Sequence, residues 1–270
     1  MCCVDKKLSP VSKLFLILVF FILYSPIFFL IFYSFNSGGK MFDFESFTLD
    51  WYKELFHDTR LLIIVLNTLV VALLSALIAT IIGVIGALGI HSMRKRTSKN
   101  TILSLNNVLI VSPDVIIGAS FLILFTVSGY KLGFYSVLLS HIAFSVPIVV
   151  LMVLPKLSEM SPTLVDVARD LGANSWDVLT KVILPYLTPG IMAGFFMALT
   201  YSLDDFAVTF FVTGNGFSTL SVEIYSLARR GVSLNINALS TLLFLFTTIL
   251  VVVYYFITQR QKPAGMGVRK

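Results

Sequence analysis

Charge is scarce in this chain: Asp, Glu, Lys and Arg supply 13% of its 270 residues, while AVILMFWYC supply 57%. An average soluble domain carries about 25% charged and 45–50% apolar residues. So few charges cannot coat a soluble body of this length while 24 Phe and 10 Tyr compete for its core. An ordinary cytosolic enzyme is excluded, and the lipid bilayer is the indicated solvent. Cysteine is nearly missing, with only Cys2 and Cys3 side by side at the N-terminus, so no disulfide framework or Cys-based metal site is available. The three histidines, at 57, 91 and 141, fall on different segments and no His-Glu-x-x-His occurs, which argues against a metal site. No Gly-x-x-x-x-Gly-Lys-Ser/Thr run is present; without that phosphate-cradling loop the chain is not expected to hydrolyse ATP, and with no nucleophile, base or metal near the paired acids at 204 and 205 it is not expected to be an enzyme.

Long apolar runs are what the chain does have. Six can be marked, at 14–32, 61–90, 102–127, 134–154, 190–212 and 238–258, and each is long enough to cross a membrane as a helix of about 20 residues. The expected fold is an all-α integral membrane protein with six transmembrane helices. A single transmembrane domain would occupy 14–258, between an N-terminal tail (1–13) and a C-terminal tail (259–270). The first run follows Lys6, Lys7 and Lys13 but is too long for a signal peptide and lacks a small-residue cleavage site, so it reads as a retained anchor. Lys and Arg then set the orientation. The N-terminal tail, the segment with Arg94, Lys95, Arg96 and Lys99, the 155–185 loop and the C-terminal tail together hold 14 of the 20. Both termini are therefore expected in the cytoplasm. The net charge of +6 is thus a topology signal, and no nucleic-acid partner is inferred from it. The outer loop between 34 and 60 carries Asp43, Glu45, Asp50, Glu54 and Asp58, an acidic face that draws cations inward.

Ser75, Ala79 and Gly83 recur every four residues in the second run, a spacing that lets helices approach closely in lipid; this is packing rather than a site. Pro26, Pro113 and Pro147 are expected to interrupt the first, third and fourth runs. The segment 155–185 is too polar to span and reads as two short helices. Ser161 and Pro162 begin the first, Leu164, Ala168 and Leu171 share its face, and Gly172 stops it. Asn174 or Ser175 caps the second, which closes at Leu184 and Pro185. Spacing alone fits equally a stripe that docks on a partner and one that packs beneath the protein's own bundle.

Asp166-Val-Ala-Arg-Asp-Leu-Gly172, nine residues, then Val182-Ile-Leu184-Pro185, resembles the EAA loop of ABC importer permeases: Glu-Ala-Ala, three residues, Gly, nine residues, Ile, any residue, Leu-Pro. Asp166 stands at the Glu position, Val167 and Ala168 at the two Ala positions, and Val182 at the Ile position. Ser112-Pro-Asp114, Ser202-Leu-Asp204-Asp205 and Phe211-Val-Thr-Gly214 are similar to the permeases of bacterial spermidine/putrescine importers. The resemblance implies a type I ABC importer permease fold and one half of a two-permease pore in the bacterial inner membrane. It also implies a second permease, two copies of a cytoplasmic ATPase that carry ATP and Mg, and an external polyamine-binding protein. Asp166, Ala168, Gly172, Val182, Leu184 and Pro185 would then form the coupling helix that docks on the ATPase.

Asp114, Asp204 and Asp205 lie within or beside apolar runs, where an Asp costs about 2.5–3.5 kcal/mol. The runs offer no Lys or Arg partner, so a wet cavity and a visiting cation are the simplest complement. Adjacent helix residues point about 100° apart, so of Asp204 and Asp205 one is expected to meet cargo and the other to be held in the bundle, with no ranking between them. A helix cap or kink satisfaction is the plainer alternative for each. Trp51 and Tyr201 offer aromatic faces for ammonium groups, though Trp51 equally fits an interfacial anchor. Ser202 lines the same surface or bonds its own backbone, and His141 reads as an interhelical hydrogen bonder. The competing functions are an importer for another cation or small solute and an ion-coupled secondary carrier.

Overall fold

Apolar residues without charge interruption propagate helices, and the computed structural model, which describes residues 9–38, 43–230 and 234–260, is helical almost throughout. In chain order the helices are α1 (Pro10–Tyr33), α2 (Asp50–His57), α3 (Thr59–Ser92), α4 (Arg96–Val111), α5 (Asp114–Val127), α6 (Phe134–Glu159), α7 (Pro162–Asp170) and α8 (Ser175–Asp177). A π-helical segment (Val178–Ile183) leads into α9 (Leu184–Asp204), followed by α10 (Ala207–Val212), α11 (Leu220–Arg230) and α12 (Leu234–Arg260). Cys2, Cys3, Lys6, Lys7, Lys40, Lys262, Arg269 and Lys270, and with them most of both tails, lie outside the described residues.

Among the described residues, α1, α3, α6 and the continuous run Ser175–Asp204 are each long and apolar enough to cross a bilayer. α4 and α5 meet that test only as a pair bent by 103°, and α12 contributes the apolar stretch Leu234–Ile249. The expected third span is thus broken. Pro113 lacks the N–H that would continue the ladder, and its ring drives Ser112 to an extended ψ of 139°. Pro26 and Pro147 do not act as expected, since α1 and α6 run through them. The fifth expected span differs at both ends: its helix starts at Leu184 rather than Gly190, and it breaks between Asp204 and Ala207.

The chain divides into two compact units. One comprises the described residues of Met1–Leu62 and Ile224–Lys270, the other Ile63–Glu223. In the first, α12 packs against α1 and α2. The loop after α1 is pinned by Ser34 and Tyr52, whose hydroxyls are 2.6 Å apart, and by Phe35 stacked on Phe47. None of the described side chains of α1 is buried, which fits an element whose solvent is lipid.

In the second unit α6 is the central helix. Val149, Val153 and Leu157 on α6 pack with Ala76, Val84 and Ala87 of α3 and with Leu187 and Ala198 of α9. A second cluster joins Ile117 and Phe125 of α5 to Val137 and Phe144 of α6 and to Val208 and Val212 of α10. Small residues set these approaches, in line with the stripe in the second run. A Cβ on Gly83 would stand 2.6 Å from Val149 Cβ, and one on Gly118 would stand 2.7 Å from Phe211 Cδ2. Gly83→Leu should therefore lower the thermal midpoint of the detergent-solubilised protein, because overpacking a filled contact costs about 1–3 kcal/mol. Gly89→Leu, with nothing within 4 Å of its Cβ position, should melt like the parent when the monodisperse fraction is followed by size exclusion.

Candidate functional site

The three intramembrane acids meet three different fates. Asp205 ends α9 with a ψ of 120°, and its carboxylate turns inward. It accepts from the backbone N–H groups of Val208 at 3.3 Å and Thr209 at 2.8 Å, and from the Thr209 hydroxyl at 2.7 Å. His141 Nε2 lies 3.5 Å away, and the Asp205 side chain is only 4% exposed. The carboxylate thus caps the short helix α10, supplying acceptors to amides that have no intrahelical partner. An Asp followed by an apolar run is a capping signal, and of the two expectations for this residue the cap is the one its contacts realise.

Asp114 opens α5 just after the break, half-buried, and accepts a hydrogen bond from the Tyr201 hydroxyl at 2.8 Å. Tyr201 remains 39% exposed and packs edge-on against Phe144 at 5.1 Å. Asp204 is exposed and makes no hydrogen bond or ion pair with any described residue. It sits three residues after Tyr201 on the same helix, so the two share a face with Cβ atoms about 5–6 Å apart. The structure therefore joins Asp114 to Tyr201 directly, leaves Asp204 exposed one turn along α9 from Tyr201, and turns Asp205 into the bundle.

Ser202 does not line an open surface. It is 3% exposed, with its hydroxyl 3.0 Å from that of Ser75 and 2.6 Å from His141 Nδ1. His141 joins helices, as its position in an apolar run implied, and its link to Asp205 is the internal partner for a buried acid that a search restricted to Lys and Arg overlooks. Trp51 belongs to the first unit. Its indole N–H donates to the Asn36 carbonyl at 2.7 Å, and the Asn36 amide in turn holds the backbone of Asp43 and Glu45. That contact gives Trp51 a loop-fixing part.

The polar loop folds into α7, α8 and the π segment. Pro162 occupies the first turn of α7, while the Ser161 hydroxyl faces Thr163 rather than a backbone amide. At the other end Gly172 adopts φ +86°, and Gly172 N–H donates to Arg169 O while Ala173 N–H donates to Ala168 O. These paired bonds close a helix around a left-handed residue, a backbone that favours glycine. Asn174 caps the next turn through Asp177 N–H at 2.9 Å. Lys181 pairs with Asp177 one turn before it. The second helix does not close at Pro185 as expected. Leu184 N–H bonds to Leu179 O, five residues back, so the widened π register absorbs the N–H that Pro185 lacks and the rod continues into α9.

Asp166 is exposed on α7, Ala168 is half-buried, and Val182 and Leu184 are half-buried on the second segment with Pro185 exposed. Leu164 at 45%, Leu171 at 83% and Trp176 at 70% exposure leave the loop's apolar stripe uncovered. It does not pack beneath its own bundle.

A helical membrane chain with an uncovered, glycine-terminated polar loop and acids beside broken spans has the make-up of a transport component. Residues 79–264 match the family described as binding-protein-dependent transport system inner membrane component, and the chain belongs to that family. The chain is 37% identical over 253 residues, 94% of its length and 95% of the relative's, to the spermidine/putrescine transport system permease protein PotC of Shigella flexneri. It is 33% identical over 241 residues to the putrescine transport system permease protein PotI of Escherichia coli strain K12, covering 87% of this chain and 86% of that protein. These relatives are membrane permeases, not enzymes. Among solved structures, a bacterial ABC transporter involved in import of the acidic polysaccharide alginate shares the fold, with a TM-score of 0.73, 18% identity and coverage of 94% of this chain and 95% of that one. The MetNI methionine ABC transporter superposes with a TM-score of 0.60 at 19% identity, over 75% of this chain and 96% of its counterpart.

The two neighbouring acids should separate experimentally. Asp205→Ala should lower the detergent melting midpoint, since losing a cap costs about 0.5–2 kcal/mol and His141 and Thr209 lose a partner as well. Asp204→Ala should leave the midpoint unchanged.

Proposed function

We propose that this chain forms one half of the translocation pathway of an ATP-driven importer of polyamines, spermidine or putrescine, across the bacterial inner membrane. The observation that carries the reading is the exposed carboxylate of Asp204, without a partner among the described residues, one helical turn from Tyr201, which is itself bonded to Asp114. Two acids flanking a phenol suit a chain of ammonium groups joined by methylenes, and an ammonium over an aromatic face gains about 0.5–2 kcal/mol. The names of the relatives, which transport spermidine and putrescine, support the same cargo.

The chain pairs with a second permease. Two copies of a cytoplasmic ATPase bind ATP and Mg, and an external binding protein delivers polyamine. The exposed stripe of Leu164, Leu171 and Trp176, stiffened by the closure at Gly172, is the surface offered to the ATPase. Asp166, Ala168, Val182, Leu184 and Pro185 frame it. Residues 14–258 act as one permease domain with both tails in the cytoplasm, the bent α4–α5 pair and α12 completing six spans. Trp51, fixed on the outer loop, serves cargo entry by holding that loop.

In membranes containing the complete transporter, Asp114→Asn and Asp204→Asn should each cut spermidine uptake about tenfold or more, as expected when one of two charge-assisted contacts is lost. Normal uptake by both variants would remove the acids from the pathway, and competition by unrelated solutes but not by putrescine would reassign the cargo. Gly172→Val and Asp166→Lys should abolish ATP-coupled uptake while the protein still inserts at parental levels, judged by quantitative immunoblot of washed membranes. A reporter fused after residue 258 should be active only in its cytoplasmic form.

A further inference from the structure

Five polar side chains in the second unit form a chain that neither the loop nor the exposed acids use. Ser75 of α3, Ser202 of α9, His141 of α6 and Thr209 of α10 are each at most 3% exposed, and Asp205 closes the series. From one end to the other the separations are 3.0 Å from Ser75 to Ser202, 2.6 Å from Ser202 to His141 Nδ1, 2.8 Å from His141 Nε2 to Thr209, and 2.7 Å from Thr209 to Asp205. The hydrogens follow from the partners. Thr209 has one hydroxyl proton and gives it to Asp205, so His141 Nε2 must donate to Thr209. Nδ1 bonds to Ser202, Ser202 bonds to Ser75, and the Ser75 hydroxyl donates to the Ala72 carbonyl at 3.1 Å. Every member is satisfied, the condition under which a buried polar network makes its surroundings rigid.

The ring's position is as telling as its bonds. Ser202 lies in the last turn of α9 and Thr209 in the first turn of α10, so one imidazole on α6 holds both sides of the break at Asp205. The same ring packs on Phe144 at 4.9 Å, and Phe144 packs on Tyr201, the donor to Asp114. A second route therefore runs from His141 to Tyr201 and Asp114.

We propose that His141 is a positioning residue for transport: it staples α9 to α10 across the break and, through Ser202 and Phe144, fixes the direction in which Tyr201 and Asp204 face. This rests on the polyamine-pathway reading above. Packing alone would be met by a side chain of similar bulk without hydrogen bonds, whereas the staple needs two hydrogen-bonding atoms on the same flat group.

The test uses the complete transporter in liposomes, with second permease, ATPase and binding protein, and reads ATP hydrolysed per spermidine delivered. His141→Leu should raise that ratio roughly tenfold, the scale of a lost buried hydrogen bond, while His141→Gln, whose amide supplies a donor and an acceptor, should restore it to near the parental value. A parental ratio in His141→Leu overturns the proposal, as does a Gln variant no better than Leu. Should Leu block assembly, Ser202→Ala, which removes only the Nδ1 partner, must raise the ratio in assembled complexes; an unchanged ratio there overturns it equally. Asp204→Asn is run alongside. Full uptake by that variant defeats the pathway reading, whereas lost uptake there with a parental ratio in His141→Leu defeats the staple alone.

Discussion

A helix that stops inside an apolar segment leaves amides and carbonyls with no water to receive them. At the end of α9 a single carboxylate stands in for that water, since Asp205 accepts from two backbone amides and one hydroxyl of α10. The break is possible because the acid is there, and the acid is tolerable because the break and His141 give it partners. With that arrangement α9 ends at Asp204, which stands at a helix end. The position of Asp204, beside the break, depends on this one capping interaction.

The aspartates at 204 and 205 are adjacent in sequence and opposite in circumstance. One spends its charge on the backbone of its own chain; the other keeps it available. Asp114 falls between, accepting from Tyr201 yet half-exposed. An Asp that has three donors has little electrostatic reason to attract a cation, whereas an unpaired one held by the same scaffold has every reason to. The scaffold and the attractor are thus different residues, separated by a single peptide bond.

Much of this is legible from residue patterns. The apolar runs locate the long helices because backbone groups in lipid must be satisfied within one segment, and the Gly172 stop and Asn174 cap of the polar loop are local chemistry that spacing reveals. What the pattern does not carry is tertiary. Pro26, Pro113 and Pro147 look alike in sequence, and only the surroundings decide that Pro113 breaks a helix while α6 passes through Pro147. Pro185 looks like a stop, yet a change of register converts it into the start of α9. Asp205 finds its partner 64 positions away on another helix, a pairing that no local window contains. Ser202, next to exposed Tyr201, is drawn toward the surface by its neighbours in sequence and inward by its neighbours in space.

The run from Ser175 to Asp204 is one unbroken rod of 30 residues, about 45 Å at 1.5 Å per residue. Trp176 stands at one tip and the unpaired acid at the other. Near its middle the rod is seated closely against α6, where a Cβ on Gly190 or Gly194 would meet Lys156, Met152 or Val149. A displacement of one end of such a rod is carried to the other end about 45 Å away.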